Sequence, residues 1–248
     1  METKNQKEIS IMRCGGKILA GILKKSANIV KPGISTIEID EYIENYIIKN
    51  KAKPSFKNYK GYPYSSCISI NDELVHGLPS QKTLNSGDIV SIDIGVYYEG
   101  YHTDAAITVP VGIISNEAKK LISITNKSLE EGIKLIRPKT KIGNIQNRIQ
   151  SIIEESNYSV IRDLSGHGIG KRLQEFPSIP NVGSKGSGME LMEGMTFCLE
   201  PMVSMGSHKV ITLEDGWTVV TADKSLSAHF EHTIAVTKDG YEVLTAID

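Results

Sequence analysis

Four acidic residues occupy positions where acids are poorly tolerated. Asp93 lies in IVSIDIG, Asp104 in YHTDAAITV, Glu200 in TFCLEPM and Glu231 in HFEHTIAV, each among apolar and β-branched residues that read as strand. Taken singly, an acid in a strand is most simply one on a solvated face. Four that recur at matched positions of an internal repeat need another account, because two of the faces must form the core between the halves. Anions that converge in a low-dielectric centre repel and must take up protons or cations. Divalent metals are the simpler answer, since four carboxylates can hold two ions through shared oxygens. His167, in LSGHGIGKRLQEFPSIP, falls between the two acidic pairs. Flanking Gly166 and Gly168 by themselves suggest only a tight turn. An added imidazole, however, completes an oxygen-rich set suited to Mn, Fe, Co or Zn. Five ligands for two ions leave positions open for water, as hydrolysis requires.

The elements that must bring these residues together appear twice. Residues 31–50, KPGISTIEIDEYIENYIIKN, and 137–156, RPKTKIGNIQNRIQSIIEES, share a basic residue, a proline, a polar turn and isoleucines at helical spacing. Pro sets the turn, Thr36 or a neighbour caps, and one apolar stripe faces the core. Each is preceded by an amphipathic segment, 8–30 and 116–136, that also reads as helix. Later, LNSGDIVSIDIG (84–95) is echoed by LMEGMTFCLEPM (191–202), with Gly87 six residues before Asp93 and Gly194 six before Glu200. Pro32 and Pro138 are 106 residues apart, and Asp93 and Glu200 are 107 apart. Two landmarks at nearly one offset predict two helix–helix–β-hairpin halves, about 8–112 and 113–240, sharing one α+β domain over 1–248. Within it, Asp93 is expected to pair with Asp104 and Glu200 with Glu231 across their hairpins.

Composition narrows the function. The chain has 248 residues, 40% hydrophobic, with a formal net charge of -1, which suffices for a core but gives no field favouring nucleic acid or anionic membrane. The densest basic run, KNKAKPSFKNYK (49–60), reads as a solvated loop. Cys14, Cys67 and Cys198 lie far apart without CxxC spacing, as in a reducing, cytoplasmic compartment. METKNQKEIS is not a secretory signal, and no run approaches the roughly 18 apolar residues of a membrane span.

The segments GYPYSSCISINDELVHGLP (61–79), GDIVSIDIGVYYEGYHTDAAITVPVG (87–112), SGHGIGKRLQEFPSIPN (165–181), EGMTFCLEPMV (193–203) and DGWTVVTADKSLSAHFEHTIAVT (215–237) together resemble the type I methionine aminopeptidases over nearly the whole chain. The resemblance implies the pita-bread α+β fold and a dinuclear metallohydrolase that removes the initiator methionine from nascent chains when the next residue is small. It implies two divalent cations (Co, Mn, Fe, Zn or Ni). Asp93 would hold one, Asp104 and Glu231 would bridge both, and His167 and Glu200 would hold the other. A water activated between the cations would attack the first peptide bond, with Glu200 shuttling its proton. His76 would contact the substrate at that bond. Tyr59, Tyr62, Cys67, Leu173 and Trp217 would line an apolar pocket for the methionine side chain, though alone they read as ordinary core. Partners would be nascent N-termini, with a transient ribosome contact, and the chain is expected to be a monomer.

Gln174 departs from the family pattern, which has a second histidine there bonding the substrate carbonyl oxygen. An amide can donate but cannot become a cation. Losing charge assistance at a developing oxyanion costs on the order of 1–3 kcal/mol, a reduced rate rather than inactivity. Two rivals follow: a weakly active or non-catalytic protein of this fold that binds peptide N-termini, and an aminopeptidase acting before proline. The latter generally carries an extra N-terminal domain and further site histidines, for which this chain has no room. The link 182–192 is also too short for the insertion of the family's longer type, and no N-terminal zinc-binding extension is expected.

Overall fold

The computed structural model describes residues 2–246; Met1, Ile247 and Asp248, part of the domain expected over 1–248, lie outside the described residues. Helices α1 (Gln6–Ile29) and α2 (Thr36–Lys49) precede strands β1 (Lys53–Pro54), β2 (Ser66–Ile70), β3 (Glu73–Val75), β4 (Ile89–Tyr98) and β5 (Tyr101–Pro110). A second helix pair follows, α3 (Asn116–Ile133) and α4 (Ile142–Glu154), then β6 (Ser159–Val160), β7 (Ser165–Gly168), β8 (Glu175–Pro180), β9 (Thr196–Leu199), β10 (Met202–Ser204), β11 (Val210–Thr212), β12 (Val219–Thr221), β13 (Ser227–His229), β14 (Glu231–Val236) and β15 (Tyr241–Val243).

Local chemistry accounts for the helix starts. Asn5 accepts from the Lys7 and Glu8 N–H groups while the Glu8 carboxylate accepts from Asn5 N–H, and Ser35 and Glu38 form the same reciprocal cap at α2. Ser35, rather than Thr36, is therefore the capping residue. The isoleucine stripes point inward as the 3.6-residue period requires: Ile39, Ile43, Ile47, Ile145, Ile149 and Ile153 are completely buried. α1 and α2 enclose one core with β2, β4 and β5, and α3 and α4 enclose a second with β9 and β14. A third cluster between them joins residues of both halves, among them Met12, Tyr62, Cys67, Leu173 and Cys198.

One nine-stranded antiparallel sheet, in the order β1-β4-β5-β14-β9-β7-β8 with β2 on β4 and β15 on β14, takes strands from both halves. β5 and β14 meet at its centre, with Ala106 opposite Glu231. Gly87 and Gly194 both have positive φ, 104° and 83°, so each turns the chain into a strand, one carrying Asp93 and the other leading directly to Glu200.

The expected second hairpin is not a hairpin. β9 does pair antiparallel with β14, but residues 201–230 intervene and build two three-stranded sheets with β3 and β6. Pro201 has no N–H to continue the ladder, so the chain leaves the sheet at Glu200 and returns at Glu231. In the first half the hairpin is real, but Gly95 faces Asp104 and Ala106 faces Asp93, making the two acids diagonal neighbours on one face.

Candidate metal centre and substrate pocket

The register of five strands sets out the site. On one face of the sheet, Asp93 of β4, Ala106 of β5 and Glu231 of β14 form a transverse row. Leu199 opposite His232 brings Glu200, next on the chain, beside Glu231. A second row, two residues along, runs from Gly95 through Asp104 towards Thr233, which is opposite Cys198. Thr233 fixes the Asp104 backbone by accepting from its N–H at 2.8 Å and donating to its carbonyl at 2.7 Å. Small residues thus alternate with acids across the centre, which leaves volume in front of the carboxylates.

His167 sits in strand β7, not in a turn. Neither flanking glycine has a positive φ. A Cβ on Gly166 would meet the Cys198 carbonyl oxygen at 2.3 Å, and one on Gly168 the Phe176 carbonyl oxygen at 2.6 Å. The glycines let neighbouring backbones press close enough to drive the imidazole into the acidic centre. Its Nδ1 is 3.0 Å from the Gly168 carbonyl oxygen, a bond that takes the ring proton and leaves the Nε2 lone pair facing inward. Nε2 lies 3.7 Å from Glu200 Oε1 and 4.0 Å from Asp104 Oδ2.

The electrostatics are those of a cation site. Asp93 is pushed up to about 7 by burial, partly offset by its closeness to Asp104. Burial first, and then the neighbouring carboxylates, hold Asp104, Glu200 and Glu231 well above the usual carboxylate range. Burial lowers His167. Oxygens of Asp93, Asp104 and Glu231 are buried without any hydrogen-bond partner. Leaving such oxygens unsatisfied is costly unless something of opposite charge binds them, and a donor set of carboxylates with one imidazole fits a divalent transition metal. One group whose ligand atoms lie within 4.8 Å of one another comprises Asp104, His167, Cys198 and Glu231.

These acids form the floor of a cavity of about 310 Å³. Its walls include every residue expected to touch substrate: Tyr59, Tyr62, Cys67, His76, Leu173, Gln174 and Trp217. Tyr62 packs edge-on against Trp217 at 5.1 Å and donates its hydroxyl to the Ser66 and Gly77 carbonyls, tying down the turn that carries His76. His76 itself has φ 58°, an uncommon backbone conformation held by this packing. Cys67 lies opposite Asp93 in the β2–β4 register, and burial pushes its thiol up, so it serves as an inert wall. The loop bearing Leu173 and Gln174 is anchored by Glu175, whose carboxylate meets Lys4 at 2.7 Å in a buried ion pair. Gln174 stands at the exposed mouth, its amide oxygen 3.4 Å from the Tyr59 hydroxyl and the Lys60 ammonium, so its N–H groups are not used in either contact.

Comparison with known proteins agrees with this geometry. The model of metallopeptidase family M24 matches residues 10–238. The chain is 50% identical over 244 residues to a methionine aminopeptidase of Clostridium perfringens, covering 98% of each chain, and 47% identical to methionine aminopeptidase 1 of Bacillus subtilis with the same coverage. The chain belongs to the methionine aminopeptidases of metallopeptidase family M24. Its fold superposes on the crystal structure of the methionine aminopeptidase from Thermotoga maritima with a TM-score of 0.97 at 43% identity, covering 99% of both. A prolidase from Pyrococcus furiosus shares the fold, with a TM-score of 0.80 at 23% identity, but this chain spans only 66% of it. The pita-bread architecture is that of both groups.

Sequence reasoning missed several residues at the site. Cys198 and His229 each stand two residues before a site acid, but Glu200 lies beyond the end of β9 and His229 and Glu231 lie on different strands, so alternation alone does not bring them to the site. Phe56, Lys60, Val75, Leu164 and Met202 also line the cavity. Lys60 comes from the basic run expected to be a solvated loop, and the other four carry no chemical signature; only the fold brings them there.

Proposed function

We propose that this metalloaminopeptidase removes N-terminal methionine from nascent chains and peptides when the next residue is small, using two divalent cations in a single catalytic domain in the cytoplasm. The observation that carries the reading is the convergence of Asp93, Asp104, His167, Glu200 and Glu231 on the floor of a cavity with aromatic and aliphatic walls, with buried carboxylate oxygens left unpaired. Asp93 would hold one ion, His167 and Glu200 the other, and Asp104 and Glu231 both. When bound, such ions supply positive charge that acidifies a water and polarises the scissile carbonyl.

The chain's own residues do the rest. Tyr59, Tyr62, Cys67, Leu173 and Trp217 hold the methionine side chain, whose unbranched thioether suits an aromatic-lined slot. The pocket closes on the acidic floor, and the α-amine lies against carboxylates, which restricts cleavage to the first peptide bond. Glu200, whose Oε1 lies 3.7 Å from His167 Nε2 on the cavity floor, would accept a proton from water and pass it to the leaving amine. His76, lowered by burial, is neutral at pH 7 and contacts the substrate at the scissile bond. Gln174 donates an amide N–H to the carbonyl oxygen, without the charge that a histidine could bring.

A peptidase assay titrated with metal, on Met-Ala, Met-Pro and Met-Leu peptides, tests the reading. Release of methionine from the first but not the last supports it. Metal binding without methionine release would favour the second reading, a binding protein of this fold, for which Gln174 is the one favouring feature.

A further inference from the structure

A buried imidazole on the opposite side of Glu200 from His167 has no assigned task. His229 is 2% exposed, and neither ring nitrogen has a hydrogen-bond partner. Its backbone is fixed on both sides: the Thr108 hydroxyl accepts from its N–H and donates to its carbonyl, each at 2.9 Å, and Met202 pairs with it across β10–β13. The ring is thereby aimed into the acidic centre, with Nε2 3.9 Å from Glu200 Oε2 and 3.9 Å from Glu231 Oε2. Glu200 therefore presents Oε1 to His167 and Oε2 to His229. Ligand atoms of Glu200, His229 and Glu231 all lie within 4.8 Å of one another, in a group distinct from the one that contains His167.

A completely desolvated imidazole with two unused nitrogens is a costly thing to keep if its part is only structural. We propose that His229 joins Glu200 and Glu231 as a metal-ligating triad, giving the acidic centre a second imidazole donor besides His167. The inference rests on the metalloenzyme reading. It predicts a preference for ions that favour imidazole, such as zinc, over manganese, because nitrogen donors raise affinity more for the former.

The probe is zinc(II), added to metal-free protein and to the His229→Gln variant, which keeps the side chain's approximate bulk. X-ray absorption at the zinc edge of the fully loaded wild type should show scattering from two imidazoles, falling to one in the variant. Zinc affinity by equilibrium dialysis should fall about tenfold or more, in line with the loss of a metal-supporting group, while manganese affinity changes far less. Thermal unfolding of the metal-free variant separates a structural role: the inference expects a Tm equal to or above wild type, since the glutamine amide can donate to the Glu200 and Glu231 carboxylates that the ring leaves unpaired. Unchanged zinc affinity and scattering, or a marked loss of metal-free stability with metal binding intact, would overturn it while leaving the aminopeptidase reading in place. A wild type that takes up no metal at all would remove both.

Discussion

Two buried carboxylate sites lie within the first half of this chain, and they are built on opposite principles. Asp40, on α2, is 3% exposed and its Oδ1 receives three donors: the Ser65 and Ser66 N–H groups at 3.1 and 2.8 Å and the Ser66 hydroxyl at 2.7 Å. Asp104, equally buried, has an Oδ1 with no donor at all and three acids for neighbours. The fold thus knows how to satisfy a buried acid and does so where the acid pins a helix to the start of β2. At the centre of the sheet it withholds donors and leaves lone pairs directed at a common volume. The difference marks which acids are structural and which await a cation.

The largest effect should come from removing that contrast at the centre. Glu231→Gln is expected to lower kcat/KM by about 10²- to 10³-fold, the scale of losing a central electrostatic group. The metal-free variant should unfold in urea at a concentration equal to or higher than wild type, because one repelling anion has gone. A destabilised variant would mean that Glu231 is a structural acid like Asp40.

Gln174→His should raise kcat/KM on a Met-Ala peptide by roughly ten- to a hundredfold, the equivalent of about 1–3 kcal/mol of charge assistance. No gain would mean that the Gln174 amide, beside Lys60, already gives the oxyanion what it needs.

Asp40→Ala makes the converse change. It strips the partner from donors at the start of β2 and should cost at least about 2 kcal/mol in urea unfolding. Turnover per folded molecule should be unchanged, and a large loss of kcat would show that Asp40 is coupled to the centre.

pH gives the smallest and most diagnostic signal. Asp93 stands at about 7 in the folded metal-free protein against an ordinary 3.8, so the folded state holds a proton that the unfolded chain releases. The stability this confers is full below pH about 4 and is lost as pH rises through about 7. The Tm of metal-free protein should therefore fall between pH 5 and 8, while metal binding, which displaces protons, strengthens over the same range. Differential scanning calorimetry with and without metal checks both slopes. A flat metal-free profile would mean that the centre is less desolvated than its burial implies.

Much of this was legible beforehand, for identifiable reasons. Helical periodicity and side-chain caps are local, so segments read as 8–30 and 116–136 appear as Gln6–Ile29 and Asn116–Ile133. An acid among β-branched residues is a local contradiction, which is why Asp93, Asp104, Glu200 and Glu231 stood out. The hairpin assigned to Glu200 and Glu231 failed because strand pairing is not local: nothing in TFCLEPM tells how far the chain travels before it returns. The glycines around His167 by themselves suggest only a turn, since sequence does not reveal which backbone presses against them. His229 passed unnoticed because an imidazole acquires meaning only from the atoms around it.

The sequence alone determined the element types, the repeat and the acids that had to meet, because each follows from periodicity, capping and the cost of burying charge within a few residues. Only the tertiary structure decided that those acids lie diagonally across β4 and β5, that His167 enters on a strand pressed against β9, and that Glu200 is held between two imidazoles. Those outcomes depend on register and on close contact between segments far apart in the chain, and no short stretch of residues encodes either.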